Sequence, residues 1–228
     1  MSKTLVVDIG GTHVKLLMEG AEQRQFDSGA KMQPLEFVAK LKETTSDWSF
    51  DNISIGFPSV VRGGKVAKEP KHLGEGWIGF DFEKSLGKPT HVINDAAMQA
   101  LGSYHGGRML FLGLGTGLGS ALALENELFA LELGDLPYRD REKIENFLGI
   151  PGIDRLGEKE WKAEVLFAVN QLKLSFIADY VVLGGGNVHR FDELPDGIER
   201  GKNENAFLGG LRLWETESNA DQPKWRVF

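Results

Sequence analysis

The stretch that decides the fold is Leu5-Val6-Val7-Asp8-Ile9-Gly10-Gly11-Thr12-His13-Val14-Lys15-Leu16-Leu17-Met18. A short apolar run ends abruptly at two glycines, and a second run returns toward Glu19-Gly20. Runs of this length ending at glycine read as buried strands with sharply turned tips. Glycine reaches positive φ and lets backbone approach a ligand without a Cβ in the way. Successive amide N–H groups in such a turn form a concavity that suits an anion. A lone Gly-Gly pair is as consistent with a tight turn as with a phosphate cradle, so the rest of the chain has to decide.

The same layout recurs. Met109-Leu110-Phe111-Leu112 leads into Gly113-Leu-Gly115-Thr116-Gly117-Leu-Gly119, and Ser120-Ala121-Leu122-Ala123-Leu124 returns to a hairpin tip at Glu125-Asn126. A third run, Tyr180-Val181-Val182-Leu183, ends at Gly184-Gly185-Gly186. Three glycine turns at three strand ends point to phosphate binding. Aligning the first two units sets Asp8 opposite Gly113, so the repeat is symmetric in backbone and asymmetric in charge. A carboxylate beside a phosphate cradle repels phosphate unless a cation lies between them, and Mg²⁺ fits that place. The alternative is a turn or capping aspartate. Lys15 either pairs with phosphate or sits solvated on the return strand.

Between the glycine turns, helical and extended patterns alternate. Pro34 suits a first helical turn, with Leu35, Val38 and Leu41 marking a face. Asp95 to Tyr104 reads as a helix opening directly after the strand Thr90–Asn94. Trp161 to Ile177 is the longest helical pattern, and a last one covers Asn205 to Trp214. Ile53 to Pro58 is a further strand, and Val60 to Val66 a hairpin turning at Gly63-Gly64. Strands alternating with helices give an α/β class with partly parallel sheets. The expected division is residues 1–95 and 96–204, with 205–228 completing the first lobe.

Composition narrows the function. The chain has 228 residues, 41% apolar and 26% charged, which is ordinary for a globular protein. A net charge of -7 argues against nucleic acid as a partner. With no cysteine, disulfides, thiol catalysis and thiolate zinc sites are out. No apolar stretch reaches the ~18–20 residues of a membrane span. The start at Met1-Ser2-Lys3-Thr4 has no leader pattern, so a cytoplasmic protein is expected. There is no Gly-x-x-x-x-Gly-Lys-Ser/Thr and no Gly-x-Ser-x-Gly. The glycines of 113–119 do not follow the dinucleotide register. The five histidines show no metal-ligand spacing.

Asn94-Asp95 closes a strand and opens a helix. Asp95 reads either as a helix N-cap or as a general base that takes a hydroxyl proton. Asn94 offers both a donor and an acceptor to a sugar hydroxyl. Glu132 and Asp135 follow the second hairpin, where paired acids either hold a polyol or are simply solvated. Glu145 lies on a charged helical stretch.

Taken in order, these segments resemble the motifs of the ROK family (repressor, open reading frame, kinase). Val7 to Lys15 resembles its first phosphate motif and Leu114 to Leu122 its second. Asn94-Asp95-Ala96-Ala97 with Ala100-Leu101-Gly102 resembles its catalytic junction, and Val181 to Gly186 the turn beside the adenosine. Gly56-Phe57-Pro58-Ser59-Val60-Val61 and the Glu-Leu-Gly segment are most similar to the polyphosphate glucokinase branch. The resemblance implies a two-lobed actin/hexokinase-like fold, a duplicated ribonuclease H-like unit. It implies phosphoryl transfer from ATP or polyphosphate to the 6-hydroxyl of a hexose, most simply glucose. Asp95 would be the base, and Asn94, Glu132, Asp135 and Glu145 would line the acceptor site. Asp8, Gly10, Gly11, Thr12, Lys15, Gly115, Thr116, Gly117, Gly184 and Gly185 would hold the donor, with Mg²⁺ near Asp8. No zinc, no nucleic acid, no membrane contact and no helix-turn-helix domain are expected, and a homodimer is. The chain departs from the family at Asp135, where histidine is usual, replacing a hydrogen-bond donor with an acceptor. A non-catalytic sugar- or nucleotide-binding protein of the same fold is the alternative.

Overall fold

The computed structural model describes residues 2–202, 204–217 and 222–228. Its first sheet is built from β1 (Thr4–Ile9), β2 (His13–Met18) and β3 (Arg24–Asp27), then, after helix α1 (Pro34–Thr44), from β4 (Asn52–Phe57). A small hairpin of β5 (Val61–Arg62) and β6 (Lys65–Val66) and the short helix α2 (Phe82–Leu86) precede β7 (Thr90–Asn94). The strand order is β3-β2-β1-β4-β7, with β1, β2 and β3 antiparallel and β1, β4 and β7 parallel.

Helix α3 (Asp95–Ser103) leads to the second unit: β8 (Arg108–Leu114), β9 (Leu118–Leu124) and β10 (Glu127–Leu131). Helices α4 (Glu145–Leu148), α5 (Ile150–Leu156) and α6 (Glu158–Ser175) precede β11 (Tyr180–Gly184) and β12 (Ile198–Arg200). Helix α7 (Asn205–Arg212) and β13 (Arg226–Val227) close the chain. This sheet runs β12-β11-β8-β9-β10-β13. Apart from β13 it repeats the first sheet's order, so the duplicated α/β plan expected from the glycine turns is the architecture observed. The C-terminal stretch 205–228, assigned to the first lobe from the sequence, includes 218–221, which lie outside the described residues.

Register explains how the turns come to face each other. Asp8 pairs with Gly56 across β4, and Gly113 pairs with Gly184 across β11, so Asp8 and Gly113 occupy equivalent places. Alternation sends Leu5, Val7 and Ile9 into the first core and Leu110, Leu112 and Leu114 into the second. The opposite faces, carrying Val6 and Asp8 on one strand and Phe111 and Gly113 on the other, look into a third core between the sheets, where α3 and α7 lie. α3 packs against β8, β9 and β10 of the second sheet, and α7 against β1 and β4 of the first. The two helices cross closely: a Cβ on Gly102 would come within 1.8 Å of the Asn205 carbonyl, and one on Gly209 within 1.8 Å of the Met98 carbonyl. Buried Ser54 donates to the Gly210 carbonyl at 2.6 Å and accepts from Trp214 Nε1 at 2.9 Å, tying β4 to α7. Among the described residues no helix is long and apolar enough to cross a membrane.

Candidate active site

The interlobe faces enclose a cleft of about 420 Å³. Predicted residues from both lobes wall it: Gly10, Gly11, Asn94 and Asp95 from the first unit and its outgoing helix, Gly115, Thr116, Gly117, Glu132, Glu145 and Gly185 from the second. Asp8, Thr12, Lys15, Asp135 and Gly184 are not among the lining residues.

At the strand–helix junction the capping role falls on Asn94. Its backbone is extended, with φ -63 and ψ 144, and its Oδ1 accepts from the Ala97 amide at 3.0 Å. Its Nδ2 donates to the Ser59 carbonyl at 3.3 Å, so the amide is held at both ends. Asp95 becomes the first residue of the helix proper, its Oδ1 accepting from Ala96 N–H at 2.8 Å. The sequence offered Asp95 as the cap; the structure frees it from that task. Burial pushes its carboxyl up to about 7, and the negative charge of Asp8 adds to the effect. Asp8 is itself raised by burial, against the pull of Lys15, its cross-strand partner on the same face.

The charge of Asp8 acts on Asp95, so the two buried carboxyls are near neighbours. Among the described residues no three His, Asp or Glu side chains converge as a ready-made metal site. That arrangement fits magnesium arriving with a phosphate donor, because the ion keeps several waters and takes one or two protein carboxylates. Lys15 is exposed on β2.

The glycine turns are built differently in the two lobes. Gly10 N–H donates to the His13 carbonyl at 2.9 Å, and buried Ser28 braces the turn by donating from Oγ to the Gly10 carbonyl at 2.8 Å. In the second lobe Gly115 N–H donates to Gly117 O at 3.2 Å, and Asn187 Nδ2 donates to the Gly115 carbonyl at 3.1 Å. Gly185 has φ +81, and a Cβ there would lie 2.5 Å from the Leu114 carbonyl, so only glycine fits the position. Ser28 and Asn187 carry no motif of their own, which is why the sequence gives no sign of them.

One end of the cleft is formed by Glu132 and Glu145 of the second lobe and a strap, residues 67–76, from the first. Glu69 fixes the strap by accepting from the amides of Gly76, Trp77 and Ile78 at 3.1, 3.1 and 3.3 Å. Trp77 anchors its end, fully buried 5.1 Å from the Phe57 ring. Lys71 reaches across the cleft to Glu145 at 2.8 Å, and Lys68 lies 3.9 Å from Asp135. Desolvation raises the Glu132 carboxyl, opposed first by Lys68. Asp135 is held low chiefly by its hydrogen bond from Lys143, at 2.6 Å. Lys68 and Lys71 line the cleft and were not singled out in the sequence.

Two repeated α/β lobes with glycine turns facing across an aspartate at a helix start define the actin/hexokinase type of fold. More narrowly, it is the fold solved in ROK-family sugar kinases. The inorganic polyphosphate/ATP-glucomannokinase from Arthrobacter sp. strain KM superposes with a TM-score of 0.79 at 21% identity, over 92% of this chain and 97% of that one. The ROK-family glucokinase from Streptomyces griseus, solved with glucose and AMPPNP, gives 0.71 at 15% identity over 91% and 97%. The ROK hexokinase from Thermus thermophilus gives 0.63 at 19% over 91% and 96%. No protein-family model matches the chain, and no curated protein sequence matches it.

Proposed function

We propose that the protein is a sugar kinase that transfers a phosphoryl group from ATP or polyphosphate to the 6-hydroxyl of a hexose. One observation carries this reading above the others: Asp95 stands in the interlobe cleft, freed from capping, with its carboxyl raised to about 7 and the glycine turns of both lobes around it. A base poised near neutral pH can take the acceptor's proton while still being ionised in a useful fraction of molecules. The acceptor oxygen attacks phosphorus, the donor's bridging P–O bond breaks, and the hydroxyl proton moves to Asp95 Oδ. Asn94, Glu132 and Glu145 orient the acceptor hydroxyls. The Gly10-Gly11-Thr12, Gly115-Thr116-Gly117 and Gly184-Gly185 turns hold the donor phosphates. Magnesium, held beside Asp8 and the donor, would neutralise charge on the transferring group. The similarity to a polyphosphate/ATP-glucomannokinase and to a glucokinase solved with glucose and AMPPNP supports this choice of substrates.

The test is a matrix of phosphoryl donors, ATP and polyphosphate, against hexoses including glucose and mannose, run on wild type and Asp95→Asn. Expected is sugar-dependent transfer by wild type and a loss of about 10²–10⁴ in kcat for the variant. Full turnover by Asp95→Asn would remove the base from the scheme.

A further inference from the structure

A polyol needs donors as well as acceptors, because each hydroxyl both gives and receives a hydrogen bond. The acceptor end of the cleft is rich in groups that only accept when ionised, Asp95, Glu132 and Glu145. Most of its donor-bearing side chains are already tied to a protein partner, although the amides and the Lys71 ammonium each keep a further N–H. Asn94 Nδ2 donates to Ser59 O, Ser59 Oγ to Lys68 O, Ser120 Oγ to Leu131 O, Asn146 Nδ2 to Glu142, and Lys71 Nζ to Glu145 at 2.8 Å. Other donors of the cleft stand by the phosphate turns: Thr116 lies within one, His72 packs on Gly11, and Gln99 packs against Gly184. Lys68 differs. It lines the cleft, and its nearest acid, Asp135, is 3.9 Å from its ammonium, beyond hydrogen-bond distance. Asp135 meanwhile accepts from Lys143 at 2.6 Å, so its charge is anchored outside the cleft lining.

We propose that Lys68 is a specificity-determining residue: it donates from the first lobe to an acceptor hydroxyl at the Glu132 side of the cleft, and Asp135 is the positioning residue that holds it there. This rests on the sugar-kinase reading above. Asp135 then influences the sugar through Lys68 rather than by touching it. The donor belongs to one lobe and the acceptor carboxylates to the other, so the hydroxyl that Lys68 reads is gripped only when the lobes face each other as they do here.

Lys68→Met removes the N–H donors and keeps most of the stem; Lys68→Arg restores donors. A hydrogen bond from a charged group supports a rise in acceptor KM of about 10- to 100-fold for Lys68→Met. kcat should stay within about twofold, because such an interaction is made equally in ground and transition states. Lys68→Arg should recover most of the loss. Among monodeoxy glucoses and mannoses, the one lacking the hydroxyl that Lys68 reads should show no further loss with Lys68→Met. Asp135→Asn should raise KM in the wild-type background and add nothing to Lys68→Met. An unchanged KM in Lys68→Met, or additive effects of the two substitutions, overturns the proposal. If wild type transfers phosphate to no sugar, the kinase reading fails by itself, and calorimetric titration of glucose and mannose into wild type and Lys68→Met decides this inference. Equal affinities, or no binding by wild type, overturn it, whereas a 10-fold or larger weakening upholds it.

Discussion

In the proposed transfer Asp95 has to be ionised when the acceptor hydroxyl loses its proton, yet its surroundings favour the protonated form. Burial and the charge of Asp8 set its carboxyl at about 7. The expected rate profile follows: kcat/KM falls about tenfold per unit of pH below 7 and levels off above it, with the limb absent from the residual rate of Asp95→Asn. A flat profile from pH 5 to 8 would refute the assignment. The same residue affects stability in the opposite sense. In the unfolded chain it ionises near 3.9, so between about pH 4 and 7 folding takes up a proton and stability falls as pH rises. Its favourable contribution is complete below about pH 4 and gone above about 7. Asp95→Asn, which keeps the oxygen that accepts from Ala96 N–H, should therefore melt several degrees above wild type at pH 8, on a scale of roughly 2–4 °C per kcal/mol. Near pH 4 the two should melt together, as differential scanning calorimetry can check. Reading Asp95 from the sequence meant recognising a residue type at a strand–helix junction. The choice of cap was not legible there, since asparagine and aspartate both cap well and only the backbone angles of residue 94 decide between them.

At the scale of elements, two glycines that matter for folding lie away from the cleft turns. Gly102 on α3 and Gly209 on α7 let two helices approach until a Cβ would strike backbone rather than a movable side chain. Gly209→Ala should cost on the order of 3 kcal/mol, lowering the melting temperature by roughly 6–12 °C. Gly63→Ala, at a hairpin tip with φ +54 and open space around it, should cost only about 1 kcal/mol from the backbone alone. Equal shifts for the two would mean that the crossing is looser than its geometry. The strands around the glycine turns, the helix after Asn94 and the hairpin at Gly63-Gly64 were legible because each combines an apolar run with a punctuating glycine or cap. Strands β3, β12 and β13 were not. They are polar edge segments such as Arg24-Gln25-Phe26-Asp27, and their pairing comes from a neighbouring strand rather than from their own pattern. The strap carrying Lys68 and Lys71 was hidden for a related reason: its conformation comes from Glu69 binding three amides and from Trp77 filling a core, neither of which leaves a periodic signal.

For the whole molecule, the exchange of helices decides how the lobes respond together. α3 leaves the first sheet and packs on the second; α7 leaves the second and packs on the first. The core between them joins Val6 and Ile93 of one sheet to Met109, Phe111 and Ala121 of the other. Arg212 of α7 reinforces the exchange by donating to the carbonyls of Leu101 and Tyr104 at the end of α3, at 2.5 and 2.8 Å. Neither lobe can lose its sheet without stripping a helix from the other, so two independent melting steps are not expected. Calorimetry should give a single transition whose van't Hoff and calorimetric enthalpies agree. The ion pairs across the cleft contribute little to this coupling, since exposed pairs such as Lys68–Asp135 are worth at most about 1 kcal/mol. A hexose at 100 times its dissociation constant should raise that one transition by an amount equivalent to about 2.7 kcal/mol, roughly 5–11 °C. Two resolved transitions without ligand, only one of them moving with sugar, would show that the lobes unfold separately and that the shared core does not couple them.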